Sequence, residues 1–289
     1  MFLGLSVIAS ATLLVCPQTH ASEQDRASLE PTLRSVVQCL APADATPETA
    51  EKPKVETTKE LVEKEGGLPI RLQTDDKLEL GSYYFAPSKT KEKVPGVILV
   101  HDQGANAKDL ITIAKALSNK KMGVLLLELR GHGDNATEDY DWSKADEKQR
   151  KAMWAFMSKD LDAGAKFLST RKEIHNSKLI LVGHGRGCAL AATHSIQDRN
   201  IVATILIQPA EQVNDFKLKD ALIEMDGIPT LILCGKQSYK KMVATKEASD
   251  PKQAAQSSVE VSSLKSKPKE VLEDERLSKY MLGWLAAQF

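Results

Sequence analysis

The chain has 289 residues, of which 42% are hydrophobic, so it is long enough for one sizeable α/β core and a short appendage. Lysine plus arginine and aspartate plus glutamate both number 39, which excludes the charge excess typical of proteins that bind nucleic acid or an anionic membrane surface. Aromatic residues make up only 5% of the chain, which also argues against base stacking.

Residues 1–21 have the pattern of a secretory signal peptide. Phe2–Cys16 is apolar apart from two serines and a threonine, and Thr19–Ala21 offers a small-x-small cleavage site. The apolar run is shorter than the roughly 20 residues of a transmembrane helix, so we expect no membrane span after cleavage. A lipoprotein signal is less favoured, because Val15 stands where a small residue is expected. The sequence therefore predicts export to the periplasm or secretion, with the mature chain beginning at Ser22.

Residues 22–58 are predicted to form a short helix and a flexible linker. Ser28–Leu40 places its large apolar residues on one face of a helix. Ala41–Thr58 is rich in proline, alanine, glutamate, lysine and threonine and nearly free of large apolar groups, which is typical of a linker. The composition becomes globular at Leu61, so we expect a single folded domain over 59–289.

Within this domain the sequence predicts an antiparallel hairpin followed by alternating strands and helices. This order indicates an α/β fold with a mostly parallel sheet of about eight strands and helices on both faces. A dinucleotide-binding domain is disfavoured, because no G-x-G-x-x-G follows the first strand of the alternating region. The predicted strands are Pro69–Leu72, Leu78–Phe85, Val97–Val100, Val124–Leu127, Leu179–Val182, Val202–Ile207, Thr230–Leu233 and Val259–Val261, and the helices lie around Leu110–Leu117, over Glu147–Leu168 and over Leu272–Phe289.

The stretch Leu179–Leu190 combines a buried strand, a glycine-rich turn and a helix of small residues. This is the pattern of the nucleophile elbow, G-x-S-x-G, in which a strained turn raises a serine above the sheet. Here the turn reads Gly-His-Gly-Arg-Gly over residues 183–187, so that Gly185 stands at the position of the serine.

Several stretches in order resemble the α/β-hydrolase superfamily, particularly its serine aminopeptidase, lipase and dienelactone-hydrolase-like members. The resemblance implies an α/β-hydrolase fold over about 69–289. Besides the elbow, the stretches that carry it are VILVHDQG at 97–104, LELRGHGD at 127–134, IQPA at 207–210 and IPTLILCG at 228–235.

The same resemblance implies that the catalytic triad is lost. The nucleophile position is Gly185, and the segment that should hold the acid, including Gln237 and Ser238, has no carboxylate. The loop that should hold the base, at Lys265, Ser266 and Lys267, has no histidine.

What the resemblance leaves in place is the oxyanion hole. Its donors would be the backbone N–H groups of Arg186 and Gln103, which remain available when the side chains at the site are substituted. We therefore expect an anion-binding pocket above Gly185, rimmed by Asp102, Gln103, His184 and Arg186, that could take a small anion or acid.

Other candidate residues are better explained by structural roles. We favour packing roles for His101 and His184, and a loop-stabilising role for His132 over that of a substitute base. Cys188 lies too far into the helix for a substitute thiol nucleophile. The sequence has no metal-ligand spacing and no cofactor motif, so we expect neither a metal nor a cofactor.

These observations favour an exported, non-catalytic pseudo-hydrolase that serves as a binding or scaffold module for an unknown partner. One alternative is an active esterase or peptidase that uses relocated groups. Another is a structural envelope protein tethered through its N-terminal segment.

Overall fold

The computed structural model describes residues 56–250 and 258–289. The predicted signal peptide, the predicted helix Ser28–Leu40 and nearly all of the predicted linker lie outside these residues. The described chain begins with helix α1 (Thr58–Lys64), which Thr57 caps by accepting a hydrogen bond from the Glu60 N–H. The first described helix therefore begins slightly before Leu61.

The strands of the described residues are β1 (Leu68–Gln73), β2 (Glu79–Phe85), β3 (Val94–Val100), β4 (Gly123–Leu127), β5 (Ile174–His184), β6 (Ile201–Ile207), β7 (Gln212–Val213), β8 (Phe216–Lys217), β9 (Thr230–Gly235) and β10 (Val259–Leu264). Eight of these described strands form one sheet in the order β1-β2-β4-β3-β5-β6-β9-β10, and β7 and β8 form a separate short hairpin. Strand β2 pairs antiparallel with β1 and with β4, and the other pairs of the large sheet are parallel. The predicted fold class is therefore confirmed.

Helices cover both faces of this sheet, and each face has its own apolar core. Because successive strand residues point to opposite faces, Leu125 contributes to one core and Leu126 to the other. The α-helices after α1 are α2 (Ile111–Ser118), α3 (Glu147–Phe156), α4 (Ser158–Thr170), α5 (Gly187–Gln197), α6 (Leu218–Glu224), α7 (Tyr239–Ser249) and α8 (Leu277–Gln288), with short 3-10 turns at Ala107–Leu110, Gly133–Asn135 and Pro268–Glu273.

The predicted continuous helix Glu147–Leu168 is wrong, because the chain breaks at Met157 into α3 and α4. The tighter turn there bonds the Met157 N–H to Trp154 O and the Asp160 N–H to Met157 O. The apolar stripe runs on through Met153 and Met157, both buried, so periodicity alone could not reveal the break.

Two further differences concern elements near the end of the chain. The predicted last helix starts later, at Leu277, after a 3-10 turn and a short segment in which the Asp274 carboxylate accepts from the Arg276 N–H. The hairpin β7–β8 and the helices α6 and α7 were not predicted.

Candidate functional site

The elbow predicted from the glycine pattern is present between β5 and α5. Gly185 has φ +56°, a left-handed conformation that glycine adopts without a Cβ penalty. A Cβ on Gly187 would overlap the carbonyl oxygen of His101, so the turn needs glycine there to pack against the end of β3. The backbone of the elbow is therefore intact although its nucleophile is absent.

The carboxylate of Asp102 occupies the space above this turn. Its Oδ1 accepts a hydrogen bond of 2.7 Å from the Arg186 N–H and one of 2.8 Å from the Gln103 N–H. A Cβ built on Gly185 would overlap all three atoms of the Asp102 carboxyl group. Asp102 thus lies where the side chain of a serine at position 185 would begin.

The two backbone donors predicted for the oxyanion hole do converge on one point, but Asp102 already fills that point. The expected pocket for an external anion therefore differs in the structure: the anion held above Gly185 belongs to the chain itself. The reason is geometric, since Asp102 lies one residue before Gln103 and its short side chain turns back onto both N–H groups. An external anion would have to displace this carboxylate.

An amide and a hydroxyl lie beyond the end of β9, in the segment where the resemblance places the catalytic acid. The side-chain amide of Gln208 donates to Ser238 Oγ at 2.9 Å, and its oxygen accepts from the Gly235 N–H at 3.0 Å. Gln237 is exposed and makes no hydrogen bond among those found in the described residues. No carboxylate takes part in these bonds among the described residues.

The loop after β10 packs onto the end of β9 instead of holding a base. The Lys236 N–H donates to Ser266 O at 3.1 Å, and the Ser266 N–H donates to Asp274 at 3.3 Å. The hydroxyl of Ser266 is buried without a hydrogen-bond partner in the described part of the chain. Lys265 and Lys267 are exposed.

His132, considered as a substitute base, is locked into the loop after β4. Its Nδ1 lies 2.9 Å from Arg130 O, so this nitrogen donates, and its Nε2 accepts from the Gly104 N–H at 3.1 Å. Burial, with a smaller contribution from nearby His101, lowers the pKa of His132 to about 4. A neutral histidine with both nitrogens engaged supports the loop and is a poor general base.

The remaining predicted groups are also held in the interior. His101 is fully buried between Asp102 O, 2.8 Å from its Nδ1, and Glu128, 3.1 Å from its Nε2. Burial raises the pKa of the Cys188 thiol far above its usual range, and this thiol donates to backbone carbonyls. It is therefore not poised as a nucleophile.

His184 is not brought to the predicted binding rim. The other three predicted rim residues, Asp102, Gln103 and Arg186, line one large cleft, whereas His184 does not. Its Nδ1 is buried and has no hydrogen-bond partner among the described residues, and burial lowers the pKa of the imidazole.

The cleft above Asp102 has a volume of about 1040 Å³, in the range of ligand-binding sites. Its far wall comes from residues that sequence reasoning did not select, Trp142, Arg150 and Lys151. The indole of Trp142 is held between the ring of His132, at 5.0 Å between centroids, and the guanidinium of Arg150, at 5.7 Å. Only the fold brings α3 over the elbow, so no local motif marked these residues.

Over residues 56–250 and 258–289, no cluster of three or more histidine, cysteine or acidic side chains could hold a metal ion. Within the same ranges, the helices include none with the length and apolarity needed to cross a membrane.

Comparison with known families supports the assignment that the fold and the elbow indicate. Residues 91–271 match the family of serine aminopeptidases, S33. The chain therefore belongs to this family within the α/β-hydrolase superfamily. A comparison with curated proteins finds no match.

Solved α/β-hydrolase structures share the fold at low sequence identity. The α/β hydrolase GrgF from Penicillium sp. sh18 is 12% identical with a TM-score of 0.61, over 77% of this chain and 98% of that one. A putative dienelactone hydrolase from Klebsiella pneumoniae subsp. pneumoniae is 16% identical with a TM-score of 0.58, over 76% and 98%. An esterase from Pyrococcus furiosus is 13% identical with a TM-score of 0.61, over 81% and 96%.

Proposed function

We propose that this α/β-hydrolase-fold protein is a non-catalytic binding or scaffold module. The observation that carries the proposal is the Asp102 carboxylate, which takes both oxyanion-hole donors and the space above Gly185. An ester or amide substrate needs those donors for its developing oxyanion. The absence of a nucleophile, a base and an orienting acid at their family positions supports the same proposal.

The large cleft supports a binding role. It keeps the volume of a ligand site, and Arg150, Lys151 and Arg186 lie along its wall while the Asp102 carboxylate lies at its floor. Such a cleft suits a polar ligand that carries both an acidic and a basic group. The chemistry of the family's active members is not required for such binding.

Covalent labelling with a fluorophosphonate probe tests the proposal against an active hydrolase with relocated groups. We expect no labelling and ester turnover at background, because loss of the serine or histidine alone costs about a millionfold in turnover. Labelling, or turnover on the order of 1 s⁻¹ or more, would refute the non-catalytic proposal. Ser143→Ala is the variant to test first in that case, because the Ser143 hydroxyl lies in the cleft and bonds to Asp141.

We also propose that the protein is exported, on the signal-like pattern of residues 1–21. Intact-mass measurement of the protein from its native cells would give a mature chain that begins near Ser22. A chain that keeps residues 1–21 and fractionates with the cytoplasm would contradict export.

A further inference from the structure

We propose that a groove at the end of the sheet where strand β3 begins binds a long-chain carboxylate. The aliphatic chain would lie on an apolar floor and the head group among lysines. This groove is separate from the cleft above Asp102, so carboxylate binding there does not depend on the proposed function. Strand β3, seven residues long, separates the two sites by on the order of 20 Å, since Val94 begins the strand at the groove and Asp102 follows its other end.

Three elements form the groove. They are the start of β3, the turn between α2 and β4, and α8, which packs against α2. The volume is about 850 Å³, which is large enough for one amphiphilic molecule. The accessible apolar lining is supplied mainly by Pro95, Met122, Leu282 and Phe289, whereas Val94 and Leu285 are buried beneath it.

The floor is apolar and continuous with a core of the protein. Met122 and Leu282 are partly exposed and pack against the core on that face of the sheet. Phe289 keeps 53% of its surface exposed and adds to the apolar surface of the groove. An aliphatic chain in the groove would remove this apolar surface from water.

Four exposed lysines line the groove, namely Lys93, Lys120, Lys121 and Lys279. Among the described residues, none of the four forms a salt bridge, as is also the case for most other lysines there. Glu92 is the one acidic side chain in the lining, so lysine side chains outnumber acidic side chains there four to one. This imbalance stands out in a chain whose net charge is zero.

An apolar floor under a cationic rim is complementary to an amphiphilic anion. The concave shape favours a single molecule over a lipid bilayer, because a membrane-binding surface inserts protruding apolar side chains into the interface. A carboxylate head group needs only a cluster of ammonium groups, whereas bidentate phosphate recognition favours arginine, which the groove lacks. The observations therefore favour a fatty carboxylate.

The test is the displacement of the amphiphilic fluorescent probe anilinonaphthalene sulfonate from the full chain by octanoate, decanoate and dodecanoate. We expect affinity to rise about fourfold for each added methylene, as burial of an aliphatic chain requires. Dodecanol should bind at least several-fold more weakly than dodecanoate, because it lacks the charge. No saturable displacement, or equal affinity across the three carboxylates, would overturn the proposal.

Substitutions locate the site. Lys120→Glu with Lys279→Glu should weaken dodecanoate binding by about tenfold, through two lost attractions and two new repulsions. The matched control is Lys265→Glu with Lys269→Glu, which makes the same charge change beyond the carboxyl end of β10 and should alter affinity less than twofold. Equal losses of dodecanoate affinity in both double variants would show an unspecific charge effect and would refute binding in this groove.

A second variant tests the floor without changing charge. Leu282→Ser should weaken dodecanoate more than octanoate, with the melting temperature recorded to confirm the fold. An unchanged chain-length dependence in this variant would refute the assigned floor. Binding to anionic phosphatidylglycerol vesicles without dodecanoate binding would likewise refute it, in favour of a membrane surface.

Discussion

At the scale of single residues, Asp102 and Gly185 depend on each other. The carboxylate can lie on the two N–H groups only because residue 185 has no side chain, and the turn keeps its left-handed backbone at low cost for the same reason. A serine at position 185 would meet both a strained backbone and an occupied site. We therefore expect that a serine introduced at position 185 alone gives no hydrolase activity.

We expect Gly185→Ser to lower the free energy of unfolding by about 2 kcal/mol or more and to give no ester turnover. In an Asp102→Ala background the same change should cost at least about 1 kcal/mol less, since the overlap is gone. Urea denaturation of the four proteins in this cycle measures the coupling. Gly283→Ser is the control, because a Cβ there meets no atom within 4 Å. Independent, additive effects would contradict the overlap.

His132 should make stability depend on pH. In the unfolded chain a histidine takes up a proton below about pH 6.5, whereas burial holds the pKa of folded His132 at about 4. Between these values the unfolded state binds more protons, so stability falls as the pH falls, by about 3 kcal/mol in all.

The measurement is the free energy of unfolding at pH 7 and pH 4.5 for the native protein and His132→Gln. The variant should lose less stability on acidification than the native protein, whereas Met242→Ala, a distant core change, should lose as much as the native protein. An identical pH dependence in His132→Gln would contradict the assignment.

At the scale of elements, a buried ion pair joins α4 to the loop after β4. Arg130 is 1% exposed, its Nε donates to Asp160 at 2.8 Å, and its Nη1 donates to Asp76 at 2.8 Å. Burial alone would lower the pKa of Arg130, but these two carboxylates raise it above its usual range. Hydrogen bonding to Arg130 in turn holds the pKa of Asp76 well below its usual range. The pair fixes the loop that carries His132.

We expect Asp160→Asn to cost about 3–5 kcal/mol, because it leaves a buried guanidinium only partly compensated. The experiment should be done at pH 8, where Asp160 is ionised, because burial raises the pKa of Asp160 to about 6. The control is Asp75→Asn, on an exposed side chain in the β1–β2 turn beside Asp76. A loss below about 1 kcal/mol, measured by urea denaturation, would show that the pair does not stabilise the loop.

At the scale of the whole domain, two apolar cores share one sheet. Leu125 and Leu126 are adjacent in β4, both fully buried, and belong to opposite cores. Neither core can persist after the strands between them separate. The cores should therefore unfold together.

We expect Leu125→Ala and Leu126→Ala each to cost about 2–5 kcal/mol and each to shift one shared thermal transition. The control is Leu68→Ala at a side chain that is 59% exposed, where the loss should be small. Calorimetry that resolved two transitions in either variant would contradict a shared unfolding unit.

The sequence by itself determined the fold and showed that glycine stands at the family's nucleophile position. Buried strand runs, the spacing of the glycines, and the order of strand and helix patterns are local signals, so the elbow at Gly185 was identified from them. The sequence also predicted that a serine, an acid and a histidine are missing from the positions the resemblance assigns to the triad, because residue types can be compared with a motif without a structure. The break at Met157 was not visible, since the apolar stripe continues through it.

Only the tertiary structure decided what fills the site. Asp102 and Arg186 are separated by 84 positions, and which way the Asp102 side chain turns depends on how β3 and β5 pack side by side. The wall of the cleft at Trp142 and Arg150 and the lysine-lined groove likewise join elements that are distant in the chain. Local periodicity records which face of an element is buried, whereas such contacts depend on the packing of separate elements, which no local pattern encodes.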